Sequence, residues 1–295
     1  MSTSHFRLGV IGAGPAGIGA ATEAMRLGIR PLLLDQSGRG GGTIRIAHEV
    51  RNLPFVPDRV EGSVVAGHLE DFLRRWDVTV RHARVTGVAA VNDLIEIASG
   101  DGTRHVVEAL VVAVGTQALV PRIDGLSSDS EDAWADVVFP DAMSACSRKV
   151  PDRVVVIGGS DVAMDQARWL RAKGATVEVL SRGATRAPEW LVRAACDEGV
   201  VVRENAKAVR GTVHADGLQL VVRQGDEESV LRVNAVVVAI GRKPVVIEGL
   251  SEVMAAHPTR VRVVGDATGR RARHVMAALG DGCVAAVDLL ARGAE

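Results

Sequence analysis

The sequence predicts an α/β protein made of two doubly wound, three-layer domains, each pairing a mostly parallel sheet with helices and a β-meander. Three observations predict it. A short apolar run, a glycine-rich turn and a helix occur in succession twice, at 8–27 and at 154–173. Each is followed by a second apolar run and then by alternating strands. Each half closes on an apolar run ending in glycine, Ala109–Gly115 and Ala235–Gly241. An order of elements that repeats in this way reads as two Rossmann-like domains in tandem.

Taken in order, Leu8 to Ile11 is a buried strand, and GAGPAG (Gly12 to Gly17) turns into a helix that runs to Leu27, with Gly28 as its stop. Pro31 to Leu34 forms the next strand, with Asp35 at its end. Gly12 permits the tight turn, Gly14 lets backbone approach a pyrophosphate, and Gly17 lets helix pack on strand. A pyrophosphate then lies on the free N–H groups at the positive end of the helix. Asp35, 18 residues after Gly17, is spaced to accept from a ribose 2′-OH. The run Gly40–Gly42 predicts a second loop over the same ligand. A helix follows at 63–76, with Val64, Val65, Leu69, Phe72 and Leu73 on one face.

Val78–Val80 is a short strand, and 85–91, 94–97 and 105–107 read as an antiparallel meander with turns at Asn92–Asp93 and Gly100–Gly102. Pro121 and Gly125 mark a linker, and 126–136 is acidic and serine-rich, an exposed loop. The second copy has strand 154–157, turn GGSDVA (158–163), helix 164–173 and strand 177–180. A helix at 189–197, a strand at 200–202 and a meander over 208–233 complete it. The last stretch gives a strand at 261–264 ending in Gly265–Asp266 and a helix at 272–290. These two elements cannot bury a core alone and must return to one of the domains.

The totals narrow the function classes. At 295 residues two domains are expected, and 47% hydrophobic with 24% charged residues is ordinary for a soluble globular protein. A formal charge of −1 gives no footprint for nucleic acid or anionic membrane. No basic leader precedes an apolar segment, and no run reaches the roughly 20 apolar residues of a membrane span. A cytoplasmic location is expected. Cys146, Cys196 and Cys283 stand far apart with no CxxC, so neither a disulfide scaffold nor a metal site is expected.

The ordered set GAGPAG, Asp35, GGT, VRNLP, AVG, GGSDVA, AIG, VVGDA and RHVMAALGDGCVAA resembles the low-molecular-weight thioredoxin-reductase-like flavoproteins over nearly the whole chain. The resemblance implies a discontinuous FAD domain, 1–120 plus 246–295, with an NAD(P)H-binding domain, 121–245, inserted between. It implies FAD contacts at Gly12, Gly14, Pro15, Ala16, Gly17, Asp35, Gln36, Gly42, Thr43, Asn52 and Val85. Ala113, Gly115, Gly265, Asp266, Arg273, His274 and Val275 complete that set. The nicotinamide nucleotide, NADPH or NADH, would meet Gly158, Ser160, Asp161, Val162, Arg182, Arg186 and Gly241. A homodimer is implied as well.

Three departures from the family pattern carry information. Where the family has a redox CxxC, this chain has Asp141 and Ser144, or Met143 and Cys146 with a two-residue gap, so at most one thiol is present. One cysteine cannot store two electrons as an intramolecular disulfide. Ser160 occupies the place of the glycine nearest the pyrophosphate, and the arginine motif HRRxxxR reads LSRGATR, keeping Arg182 and Arg186. Two guanidinium groups still clamp a phosphate, which favours NADPH. His274 replaces a glutamine and His48 sits in the loop expected to face the flavin. His274, His48 and Cys146 are therefore the candidate catalytic residues.

The expected function is hydride transfer from NAD(P)H to FAD, then electron transfer directly to a small-molecule or small redox-protein acceptor. The alternatives are an FAD-dependent oxidase or dehydrogenase with a degenerate nucleotide site, and a non-enzymatic flavin-binding redox sensor.

Overall fold

The computed structural model describes residues 4–126, 137–215, 217–271 and 273–291. Nearly all of the predicted acidic loop, from 127 to 136, lies outside the described residues. The chain divides into two compact units: unit 1 is 1–45, 50–117 and 243–295, and unit 2 is 46–49 and 118–242.

Unit 1 begins with β1 (Ser4–Ile11), α1 (Pro15–Arg26) and β2 (Leu32–Asp35). Next come α2 (Gly62–Arg75), β3 (Val80–His82), β4 (Val85–Val91), β5 (Leu94–Ser99) and β6 (Arg104–Val112). The strand order is β3-β2-β1-β6-β5-β4. β3, β2, β1 and β6 run parallel, whereas β6, β5 and β4 form the antiparallel meander.

The run 105–107 and the apolar run that begins at Ala109 form one strand, β6. Glu108 sits on the outward side of a period-two strand, its carboxylate 3.6 Å from His5 Nε2, so the polar residue leaves the strand intact. One face of the sheet packs Leu8, Val10 and Val111 on α1 and Leu73 of α2. The other face packs Ile11, Leu34, Val107 and Leu110 against Val88, Ile95 and Ile97 of the meander.

His105 is buried on β6 beside Phe6, ring centroids 6.3 Å apart, and its Nδ1 has no hydrogen-bond partner. Burial, helped by Arg81 and opposed by Asp101, pushes its pKa below the ordinary 6.5. Below about pH 6.5 the unfolded chain therefore binds more protons than the folded one. The stability contributed by neutral His105 is full above that pH and is lost as pH falls through the folded pKa. His105→Leu is expected to flatten the fall in urea midpoint between about pH 7 and pH 5, and an unchanged pH dependence would refute the assignment.

The chain crosses into unit 2 through β7 (Thr116–Ala118). Unit 2 contains β8 (Val138–Phe139), a short helix α3 (Ala142–Ala145), β9 (Arg153–Ile157), α4 (Asp161–Ala172) and β10 (Thr176–Leu180). α5 (Glu189–Asp197), β11 (Val201–Arg203), a meander of β12 (Ala206–His214), β13 (Gly217–Gln224) and β14 (Glu227–Val233), and β15 (Ala235–Val238) follow. The parallel sheet has the order β11-β10-β9-β15-β8. Val154, Val156 and Val177 face α4 and α5, while Val155 and Val236 face Leu218, Leu220 and Val222 of the meander.

The chain returns through β16 (Arg242–Pro244), which pairs with β7. Unit 1 is completed by α6 (Leu250–Ala256), β17 (Val261–Val263) and α7 (Val275–Leu290). β17 adds to the parallel half of β6, Val261 opposite Leu110 and Val263 opposite Val112. α7 starts at Val275 because His274 is extended, φ −125° and ψ 145°, and acts as the N-cap. The first residue of the predicted helix, Ala272, lies outside the described residues. Ala278, Ala285, Ala286 and Leu290 of α7 join the core formed by α1, so the last helix belongs to unit 1. Among the described residues no helix is long and apolar enough to cross a membrane.

Candidate functional site

The two glycine turns repeat each other bond for bond. In unit 1 the Gly12 N–H donates to the Leu34 carbonyl at 2.7 Å, and in unit 2 the Gly158 N–H donates to Leu180 at 3.0 Å. Ala113 N–H donates to Ile11 at 2.8 Å, and Ala239 N–H to Ile157 at 2.8 Å. Each glycine has positive φ, +99° and +151°, and a Cβ on either would come within 2.4 or 2.3 Å of the carbonyl oxygen of Ala113 or Ala239. Only glycine fits a turn pressed this closely on the neighbouring strand. The alanines that end each half, with Gly115 and Gly241 two residues on at φ +65° and +118°, form the wall of each turn.

In unit 1 the turn feeds α1 with Gly14 as N-cap and Pro15 as the first helical residue. No side chain caps this end and its first turn holds no acid, so the N–H groups of Ala16 and Gly17 are left for a ligand. Asp35 is fixed by its own chain: Oδ2 accepts from Ala13 N–H at 2.9 Å, and Oδ1 from Ser37 N–H at 2.8 Å and Ser37 Oγ at 2.6 Å. A carboxylate accepts about four bonds, so one place remains for a hydroxyl. Gln36 beside it is exposed. Val85 begins β4 two residues after Ala83, whose N–H donates to the Asp35 carbonyl at 2.9 Å.

The triple-glycine loop lies on the same turn, with Gly41 N–H donating to Ala13 O at 2.8 Å. The loop leads into a 3-10 turn, Gly42–Ile46, on which Thr43 is exposed. Sequence reasoning missed what holds this loop. Arg45 Nε and Nη2 donate to the Gly40 carbonyl at 2.9 and 2.7 Å, and Glu70 of α2 accepts from the Gly40 N–H at 3.0 Å and pairs with Arg45 at 2.5 Å. It also missed Asp281 of α7, which accepts from the Gly265 N–H at 3.2 Å and pairs with Arg270. Gly265 is thereby set against α1 near Ala16, and the half-buried Asp266 follows it.

At the N-terminus of α7, Arg273 and His274 are exposed and Val275 opens the helix. The first turn of α7 holds no acid. Asn52 Nδ2 lies 3.5 Å from His274 Nδ1, which brings together two residues 222 positions apart in sequence. The arrangement gives unit 1 two helix N-termini without acids, a carboxylate at a strand tip and a glycine cradle. That donor set fits an anionic dinucleotide, whose pyrophosphate an acid-free helix N-terminus can receive.

Unit 2 keeps the geometry with different chemistry. Ser160 takes the N-cap place of Gly14 without making a side-chain cap bond, and the exposed Asp161 puts a carboxylate in the first turn of α4. Val162 next to it is also exposed. Ser181, buried, stands where unit 1 has Asp35. Arg182 and Arg186 are both exposed on the loop that follows.

Two of the expected catalytic residues, His48 and Cys146, lie in unit 2. The segment 46–49, which carries His48, groups with unit 2. The reason is Asp165 of α4, whose carboxylate accepts from the His48 N–H at 2.7 Å and the Glu49 N–H at 3.1 Å. Arg168 pairs in turn with Glu49 at 3.2 Å and Glu198 at 2.5 Å, its side chain nearly buried. Burial pushes the Asp165 carboxyl above its usual value, against the two N–H bonds. His48 Nδ1 is buried without a hydrogen-bond partner.

Cys146 ends α3 and packs on the unit 2 core. Burial pushes its thiol up, against the pull of Lys173, which disfavours the nucleophilic thiolate. All three cysteines are free, and no cluster of potential metal ligands occurs among the described residues.

Residues 6–292 match the family model described as pyridine nucleotide-disulphide oxidoreductase. The chain is 27% identical over 305 residues to a thioredoxin reductase of Streptomyces clavuligerus, covering 95% of this chain and 91% of that one. It is 26% identical to a bifunctional thioredoxin reductase/thioredoxin of Mycobacterium leprae, of which it spans 64%. The thioredoxin reductase structure from Lactococcus lactis superposes with a TM-score of 0.84 at 22% identity, covering 96% of this chain and 97% of that one. The two-domain dinucleotide-binding fold expected from the repeat is the fold observed.

Proposed function

Because the chain belongs to the pyridine nucleotide-disulphide oxidoreductase family, we propose that it is an FAD-dependent NAD(P)H oxidoreductase that passes electrons to its acceptor without a dithiol relay. The observation that carries this reading is the contrast between an intact cradle in unit 1 and three separate, free cysteines. Unit 1 is then the FAD domain and unit 2 the nucleotide domain, with NADPH favoured over NADH by Arg182 and Arg186. The acceptor is a small molecule or a small redox protein, and the protein is a cytoplasmic homodimer.

Bound FAD supplies hydride acceptance from the nucleotide and delivery of electrons to the acceptor. The chain's part is to hold, orient and compensate charge. Gly12, Gly14 and the N–H groups of Ala16 and Gly17 receive the pyrophosphate, with Pro15 fixing the start of the helix. Asp35 takes a ribose hydroxyl with its remaining acceptor place. The acid-free N-terminus of α7 stabilises negative charge at the ring. His274, with Nδ1 toward Asn52, keeps Nε2 to exchange a proton with the acceptor.

The test is anaerobic addition of NADPH, then NADH, to the purified flavoprotein. Either nucleotide is expected to bleach the flavin absorbance, NADPH at lower concentration. If neither does so, the reductase reading is wrong. The second reading, an FAD-dependent oxidase or dehydrogenase, then stands on Ser160 and Asp161, which crowd and oppose a pyrophosphate at α4.

A further inference from the structure

The loop from Ser181 to Pro188 in unit 2 is fastened at both ends. On one side Arg186 N–H donates to the Gly159 carbonyl at 2.6 Å, and Ser181 packs so closely that a Cβ on Gly159 would come within 2.2 Å of its Oγ. On the other side the loop is tied to the residues just after β11. Glu204 Oε1 accepts from Thr185 N–H at 2.7 Å and from Thr185 Oγ1 at 2.8 Å. Asn205 N–H reaches the Gly183 carbonyl at 3.4 Å, and Gln224 Nε2 donates to the Glu204 carbonyl at 2.8 Å. The two bonds from Thr185 hold the Glu204 carboxyl below its usual range, so the acceptor is a carboxylate.

Between these anchors the loop carries Arg182 and Arg186, both exposed. Gly183, Ala184 and Thr185 lie between the arginines, and of these only Thr185 carries a side chain that can tie the loop down. Two guanidinium groups grip one phosphate well only when held in a set geometry, because ordering them at the moment of binding costs affinity. The anchor on the Gly159 side belongs to the glycine turn and serves any dinucleotide. The Glu204 carboxylate bonds only the arginine-bearing segment, at Thr185.

We propose that Glu204 is a positioning residue for nucleotide specificity: its carboxylate, through Thr185, sets the Arg182–Arg186 loop to receive a phosphate on the adenosine ribose. This rests on the NAD(P)H reading above. Glu204 acts through Thr185 and the loop, so its effect falls on 2′-phosphorylated nucleotides and not on their unphosphorylated counterparts. A carboxylate acting by charge would do the opposite and weaken phosphate binding. Glutamine at 204 keeps an acceptor for Thr185 and removes the charge, which separates the two mechanisms.

The experiment is calorimetric titration of the FAD-loaded protein with 2′,5′-ADP and with 5′-AMP, for the native chain, Glu204→Ala and Glu204→Gln. The native protein is expected to prefer 2′,5′-ADP by more than about tenfold. Glu204→Ala is expected to lower that preference about tenfold while leaving 5′-AMP affinity within about twofold. Glu204→Gln is expected to keep most of the preference. An unchanged preference in Glu204→Ala, a gain of 2′,5′-ADP affinity in Glu204→Gln, or no preference in the native protein would overturn the proposal. Because the readout is binding, a protein that discriminates the two nucleotides yet is not reduced by NADPH contradicts the reductase reading alone.

Discussion

Gly282→Ala is expected to destabilise unit 1 by about 3 kcal/mol, the upper end for one added methyl group in a close-packed interior. The added Cβ would fall 1.8 Å from the Ala16 carbonyl oxygen and 2.8 Å from the Ala16 carbonyl carbon and the Ala20 nitrogen. All three are backbone atoms of α1, so no rotamer change relieves the clash and α7 has to move. A loss of that size lowers the melting temperature by roughly 6–12 °C. On the proposed function, flavin retention is expected to fall with it. Gly280→Ala on the same helix is the control: a Cβ there meets nothing within 4 Å. That variant is expected to gain up to about 1 kcal/mol from helix propensity. Melting curves of the two variants that coincide would disprove the α1–α7 packing.

Asp35→Ala is expected to weaken FAD binding at least ~100-fold, measured by titrating flavin into the apoprotein. The carboxylate carries three internal bonds besides the place left for the ribose. Removing it strands the N–H of Ala13, a buried residue at the centre of the glycine turn. An unpaired buried N–H costs about 1–3 kcal/mol, and the lost charge-assisted bond to the ribose adds to it. Asp35→Asn is expected to fall between, because its amide oxygen still accepts from Ala13. Native affinity in Asp35→Ala would mean that the flavin lies elsewhere.

The parts legible in the sequence are those whose cause is local. β1, α1 and β2 follow from an apolar run, a glycine turn and a helix stop within 28 residues, and β9, α4 and β10 follow from the same signals. The turns predicted to match do match, Gly12 to Leu34 as Gly158 to Leu180. Features set by distant partners were not legible. Nothing near Ile46 announces that Asp165 and Arg168 hold His48 and Glu49 on α4. Glu204, Glu70 and Asp281 each act on backbone many residues away and follow no motif. β8 has two residues and α3 four, too few for a period to show. That 105–107 and 109–112 form one strand depends on Glu108 facing outward, in a register that only the paired strands define.

β6 has a consequence for the order in which the protein is made. Its parallel half needs β17, which is synthesised after the whole contiguous stretch 118–242 of unit 2. During synthesis Leu110–Val112 therefore offers an unpaired, apolar strand edge while the second unit emerges, and such edges template wrong pairing. Loop closure across the complete inserted unit makes β6–β17 pairing a late event. Unit 2 has its parallel sheet and meander within one continuous stretch and can mature first. Unit 1 closes last, when α7 docks on α1.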